Sequence, residues 1–454
     1  MVNDWKEVSL TDIYEIRSGL SKPAKDFGPG YPFLSFKDVF YNFFAPDELS
    51  QLVQSNEKER IGCSVKKGDV FLTRTSETMH ELGMSCVALK DYDNATFNGF
   101  CKRLRPKDSN NAVPEYVGYY LRSQKFRNEM LAFSTMSTRA SLNNEMISKL
   151  KISLPSVQEQ EFIAHVLKTL DNKIQLNRQT NQTLEAMAQA LFKSWFVDFD
   201  QVIDNALAAG NEIPEPLQAR AEQRKTLYEG DALLASRIEK APAPLPEHIL
   251  QLFPSSFVFD ADMGWIPEGW EIKTIGNMLD LAYGKSLPAT NREPGPFPVY
   301  GSGGVSGYHK EAICNGPGVV VGRKGTVGSV YWVSQDFFPI DTVFYVKPKV
   351  KMPLFWVFQK LSHMNIATLS ADSAVPGVNR NAIYTIKWVI PSEQVLEEYF
   401  ELLSPTIKKQ TELSVQNESL VKIRDTLLPK LISGELLLPS ESMEAQQQTE
   451  AAVA

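Results

Sequence analysis

The sequence is poor in the residues that usually build catalytic and metal centres. Its five histidines include no pair four apart on a helical face, so a helix-borne metal site has nothing to rest on. Its four cysteines (Cys63, Cys86, Cys101, Cys314) show no C-x-x-C spacing and have no histidine beside them at zinc-finger intervals. The opening stretch "MVNDWKEVSL" lacks the charged-then-apolar build of a signal peptide. Reduced, mostly buried thiols in a cytoplasmic protein are therefore expected. No apolar run approaches the roughly 18 residues that a bilayer span requires. Positive charge is also short, with a net charge of −7 over 454 residues.

That acidic total hides an alternation along the chain. Residues 1–155 carry +2 and 262–391 carry +3, whereas 156–261 and 392–454 carry −6 each. Phosphate contact needs only a local basic face, so the total does not exclude DNA. A chain of this length should hold two or more domains, and the alternation suggests where they fall.

A repeat underlies it. Trp5, Leu10, Gly19 and Pro23 recur 265 residues later as Trp270, Ile275, Gly284 and Pro288. Leu142, Asn143, Ile147, Pro155 and Gln158 recur 236 residues later as Val378, Asn379, Ile383, Pro391 and Gln394. Two such ordered sets indicate duplication of a unit about half the chain long. Each unit opens with short β-like runs ("GDVFLTR", "SCVAL"; "VVVG", "SVYWV") punctuated by Gly and Pro, with one internal helix. A long helix closes each unit. After Pro155, apolar and small polar residues from Ile163 to Trp195 alternate by four and three, a heptad seam. From Glu159 to Trp195 such a helix would run roughly 55 Å at 1.5 Å per residue. The second copy keeps a looser seam from Tyr399 to Leu431.

Polar Asn177 and Asn181 in one seam, and Gln410 and Asn417 in the other, suit residues that fix the register of paired helices. The expected fold is therefore α+β: two mixed, β-rich globular domains separated by two long antiparallel helices, an intramolecular coiled coil with pseudo-two-fold symmetry. The expected boundaries are a domain at 1–155, a spacer helix at 156–200 and an irregular acidic, Pro-rich strap at 201–261. A second domain at 262–391, a distal helix at 392–440 and a disordered tail at 441–454 follow.

Motifs for chemistry fail on spacing. In "GVVVGRKGTVG" the lysine follows Arg323 rather than the second glycine of a phosphate loop, so a buried strand turning at Gly322 and Gly325 is the better reading. "YGSGGVSGYHK" has no following helix and is no dinucleotide fingerprint. No Asn/Asp-Pro-Pro-aromatic segment offers a place for adenine methylation. The chain reads as a binding protein without catalytic residues. Candidate DNA contacts are Arg323 and Lys324 on the turn, Tyr300, Ser302 and His309 on the glycine-rich loop, and the arginines Arg74, Arg139 and Arg380.

"ALFKSWFVDFD", "LFPSSFVFDADMGWIPEGWE" and "RDTLLPKLISGEL" resemble the specificity subunits of Type I restriction–modification enzymes, and "FPVYGSGGVSGYH" with "VVVGRKGTVGSVYWV" is similar to one version of their target recognition domain. The resemblance covers residues 1 to about 440. It implies a non-catalytic subunit whose two recognition domains read the halves of an asymmetric, interrupted DNA target. It implies helices that carry two adenine N6-methyltransferase subunits, with motor-nuclease restriction subunits joining them. S-adenosylmethionine, ATP and magnesium would belong to those partners. The first domain departs from the pattern, with "YPFLSFKDVFYNFF" replacing "FPVYGSGGVSGYH", so the two heads should read different half-sites. The helix ends gather Trp195, Phe196 and Phe199, and Leu427, Leu431 and Ile432. Those side chains either pack on a head or dock a methyltransferase. A stand-alone bipartite DNA-binding regulator and a coiled-coil protein scaffold are the rival readings; the regulator would bind DNA tightly alone, and salt-dependent duplex binding would exclude the scaffold.

Overall fold

The computed structural model describes residues 5–76, 81–107, 111–133, 135–136, 140–229, 245–369 and 377–436. The chain divides into two compact units: residues 1–178 with 415–454, and residues 179–414. Arg139 and the expected tail at 441–454 lie outside the described residues.

In the first unit, β1 (Lys6–Ser9) pairs with β8 (Lys151–Leu154), which brings the start of the unit against its end. The main sheet is antiparallel, in the order β2 (Tyr14–Ser18), β7 (Cys101–Pro106), β4 (Val70–Thr73), β5 (Ser85–Val87). All four residues of β4 are buried, as an inner strand covered on both faces requires. A smaller sheet sets β3 (Phe27–Leu34) parallel to β6 (Thr96–Phe97). The helix α1 (Pro114–Tyr120) starts at a proline whose missing N–H costs nothing there. Its Tyr116 and Tyr120 hydroxyls bond Ser153, and Tyr119 donates to Asp171 at 2.8 Å. Asp171 belongs to α2 (Val157–Phe196), which opens with a capping box: the Glu159 N–H donates to Ser156 Oγ and the Ser156 N–H to the Glu159 carboxylate.

The second unit repeats this plan after an insertion. Two helices, α3 (Asp200–Ala209) and α4 (Glu215–Glu229), follow α2, and a hairpin joins β9 (Phe257–Asp260) to β10 (Gly264–Pro267). This corrects the expected irregular strap over its first half. Acidic residues at the start of this stretch pair across the two helices: Arg220 grips the buried Asp200 at 2.7 and 2.8 Å, and Arg224 bonds Asp204. The "KAPAP" part of the strap lies outside the described residues.

β11 (Glu271–Thr274) then pairs with β19 (Lys387–Ile390). The main antiparallel sheet runs β12 (Leu279–Tyr283), β18 (Val343–Pro348), β15 (Gly318–Gly322), β16 (Val330–Val333). A small sheet sets β13 (Phe297–Gly301) between β14 (Gly304–His309) and the parallel β17 (Phe338–Pro339). The helices α5 (Leu354–His363) and α6 (Arg380–Thr385) precede β19, and α7 (Glu393–Ser433) closes the plan.

The repeated glycines have a steric cause. A side chain on Gly19 would place its Cβ 2.2 Å from the Asn98 carbonyl oxygen, and one on Gly284 would stand 2.1 Å from that of Ile340. The two long helices end differently. α7 stops at Gly434, which takes the left-handed conformation that glycine adopts freely, whereas α2 turns through Phe199 at φ 55. That conformation costs a non-glycine residue about 1–2 kcal/mol. Packing of the Phe199 ring on Trp270 (5.7 Å between centroids) and Phe257 offsets it.

Candidate nucleic-acid interface

In the second unit the turn after β15 carries two of the candidate cations. The Arg323 N–H donates to the Thr342 carbonyl at 2.9 Å, and its carbonyl accepts from Val378 N–H at 3.1 Å. Its guanidinium lies 4.8 Å from the centre of the Tyr283 ring and 5.8 Å from that of Phe344, and donates to the Asp341 carbonyl at 3.1 Å. Lys324 is exposed beside it. Arg380, at the start of α6, lies 4.9 Å from the same Tyr283 ring and donates to the Leu281 carbonyl at 3.4 Å. Ser302 joins this face: its carbonyl accepts from Ser329 Oγ at 2.7 Å and Tyr331 at 3.0 Å, and a Cβ on Gly325 would stand 3.0 Å from its hydroxyl. Gly325, at φ +78, is therefore held glycine by its left-handed conformation.

Two candidates fall elsewhere. His309 is buried at the end of β14, where its Nδ1 accepts the Glu293 N–H at 3.1 Å and its ring meets the edge of Phe338. With 6% of its surface exposed, His309 is turned into the unit and stands apart from the face that carries Arg323, contrary to the expectation of a DNA contact. Tyr300 is half-buried and packs its ring against Tyr331 and Phe337 in the small core under β13.

The first unit builds the same position. The Arg74 N–H donates to the Phe100 carbonyl at 2.9 Å and its carbonyl accepts from Leu142 N–H at 2.8 Å, the bonds that Arg323 makes with Thr342 and Val378. The strand register supports the correspondence, because Ser18 lies opposite Lys102 as Tyr283 lies opposite Phe344. Arg74 thus faces a different setting. Lys102 donates to Ser18 Oγ at 3.0 Å, and burial together with the charge of Arg74 lowers its pKa. Two cations meet there, and among the described residues neither has a carboxylate partner. Sequence reasoning missed Tyr283 and Lys102. For Tyr283 the signal available was its place beside the repeat, since it precedes Gly284 as Ser18 precedes Gly19, whereas Lys102 is reached only through its pairing with Ser18.

The seam residues meet across the helix pair. In the first unit Asn177 Nδ2 donates to Gln416 at 2.7 Å and Asn417 at 3.0 Å. In the second, Asn181 Nδ2 donates to Ser414 Oγ at 3.2 Å, and Gln410 Nε2 to the Asn181 carbonyl at 3.3 Å. The helix-end residues are covered within their own units. Trp195 and Phe196 are buried with Phe253, Trp270, Trp356 and Tyr399, Trp195 meeting Phe253 edge-on at 5.0 Å. Phe199 is half-buried on the same core. Leu431 and Ile432 are buried, and Leu427 half-buried, with Leu10, Ile13 and Leu167 in the first unit. Of the two roles expected for these ends, the buried Trp195, Phe196, Leu431 and Ile432 take the packing one, with at most 3% of their surface left exposed.

Among the described residues no group of three or more His, Cys, Asp or Glu is placed to hold a metal, and no helix is long and apolar enough to cross a membrane. Two copies of one α+β plan, each with an arginine at the same turn and different neighbours around it, define a duplicated recognition scaffold. The model of the Type I restriction modification DNA specificity domain matches residues 2–186 and 267–422, and the chain belongs to that family. It is 28% identical to the Type I restriction enzyme HindI specificity subunit of Haemophilus influenzae, over 96% of this chain and 100% of that one. It is 22% identical to the MjaIX specificity subunit of Methanocaldococcus jannaschii, over 95% and 94%. The fold is shared with the S subunit of a Type I restriction–modification system from M. genitalium, at a TM-score of 0.50 and 16% identity over 95% and 97% of the two chains. Specificity subunits are the non-catalytic members of their complexes, and this chain is one of them.

Proposed function

We propose that the chain selects the DNA target of a Type I restriction–modification complex by reading an asymmetric, bipartite sequence, one half-site per recognition domain. Residues 1–155 and 262–391 are those domains, and 156–200 with 392–440 supply the spacer helices, whose register Asn177, Asn181, Gln410 and Asn417 fix. Arg74 in the first domain, and Ser302, Arg323, Lys324 and Arg380 in the second, meet the duplex. Two adenine N6-methyltransferase subunits bind pseudo-equivalent surfaces of the chain, and restriction subunits join through them, in the cytoplasm. The partners bring S-adenosylmethionine, ATP and magnesium; this chain binds none of them.

One observation carries the reading: Arg74 and Arg323 occupy equivalent turns with equivalent backbone bonds but unlike neighbours. Duplication of the frame with divergence around one arginine is what two half-sites of different sequence require. The test is methylation of a randomised target library by the assembled complex. Arg323→Ala should cost about 1–3 kcal/mol and relax one position of one half-site. A variant that methylates the library as the parent does would refute the contact. Native mass spectrometry should find one copy of this chain with two of the methyltransferase, and a single partner would refute the stoichiometry.

A further inference from the structure

Tyr283 ends β12 at the edge of the main sheet with 49% of its surface exposed. The guanidinium carbons of Arg323 and Arg380 stand 4.8 and 4.9 Å from its ring centre, so the two cations are less than 10 Å apart. Among the described residues neither has a carboxylate partner; each donates only to a main-chain carbonyl, of Asp341 and Leu281. A neutral ring therefore gathers two like charges that repel each other, with no anion among the described residues paired to either. Phe344 steadies the ring from below at 5.0 Å.

We propose that Tyr283 is a positioning residue that sets the base preference of the second recognition domain by fixing the direction of Arg323. Bidentate readout of a guanine edge needs the guanidinium plane held, and a half-buried arginine on a turn with one main-chain bond does not hold it alone. The ring supplies the missing constraint, and Arg380 on the same ring supplies charge for the adjoining phosphates. The first unit lacks the device: Ser18 and Lys102 stand where the second has Tyr283 and Phe344, and Asn144 stands at the repeat position of Arg380. This inference rests on the reading that this face meets DNA.

The test uses the full chain assembled with its methyltransferase, on a target library at fixed gap. Tyr283→Leu keeps an apolar strand residue and removes the π face. It should lower methylation of the parent target about three- to tenfold and relax the same position that Arg323→Ala relaxes. Tyr283→Phe, which keeps the ring, should restore both. Preference at the other half-site should not move. If Arg323→Ala relaxes a position and Tyr283→Leu does not, the inference is overturned while the DNA contact stands. Failure of Tyr283→Phe to rescue overturns it too, since the hydroxyl and not the ring would then matter. If Arg323→Ala is itself silent, the contact reading fails and takes this inference with it.

Discussion

Around Arg74 the first unit places Ser18 and Lys102, whereas around Arg323 the second places Tyr283 and Phe344. The backbone bonds of the two arginines match pair for pair, and so do the sheet orders on which they stand. The difference teaches how a duplicated frame can diverge in what it reads. Main-chain bonds and buried strands hold the turn, so the facing pair beside it can change from Ser18 and Lys102 to Tyr283 and Phe344 without disturbing it. A further contrast lies in the helix behind each sheet. In the first unit it presents Tyr116, Tyr119 and Tyr120 with their hydroxyls bonded. In the second it presents Trp356 and Lys360, with the Trp356 indole N–H buried and unpartnered among the described residues.

The comparison can be broken most forcefully at the aromatic core of the second unit. Trp195→Ala empties a fully buried site and should cost about 3–5 kcal/mol. Hydrogen exchange should show lost protection over residues 179–414 and retained protection in the first unit's sheet. Equal loss in both would mean that the units do not unfold separately.

Arg74→Ala should relax a position in the half-site that Arg323→Ala leaves alone, at about 1–3 kcal/mol, measured on the same methylation library. Relaxation of the same half-site by both variants would undo the assignment of one half-site to each unit. Of similar size is the effect at the seam. Asn177→Leu strands the side chains of Gln416 and Asn417 and should destabilise by about 1–3 kcal/mol. Replacing Asn177 and Asn417 together by Leu should recover most of that loss, and a double-mutant cycle by chemical denaturation reads the coupling.

The smallest effect separates the two helices by pH. Burial pushes the Lys360 ammonium down to about 8 from its ordinary 10.5. Below pH 8 the folded unit bears a charge that the unfolded chain holds more easily, so the cost is full there. Stability is regained as pH rises from 8 toward 10.5, where both states are neutral. Because Lys360 is only half-buried, Lys360→Met should gain about 1 kcal/mol at pH 7, and less at pH 9. A gain independent of pH in thermal unfolding would exclude the charge as its cause.

Local and repeated signals carried most of the fold. Gly19 and Gly284 were legible because a carbonyl within about 2.2 Å of any Cβ leaves glycine alone at both copies. The long helices were legible from Pro155 and Pro391 followed by heptad spacing, a pattern that depends only on residues close in the chain. Arg323, Lys324 and Ser302 could be singled out because a glycine-bounded turn marks itself. The tertiary structure alone decided what those residues meet. His309 and Tyr300 sit in the same glycine-rich stretch as Ser302, yet strand alternation turns His309 inward and the small core takes the Tyr300 ring. Trp195 and Phe196 announce a cover but not its identity, which comes from Trp270, Trp356 and Tyr399, far along the chain. Tyr283 joins Arg323 and Arg380 only because sheet pairing sets three distant segments side by side. Sequence fixes which positions must be small, apolar or turned, since those demands are local; which side chains become neighbours is a property of the closed fold.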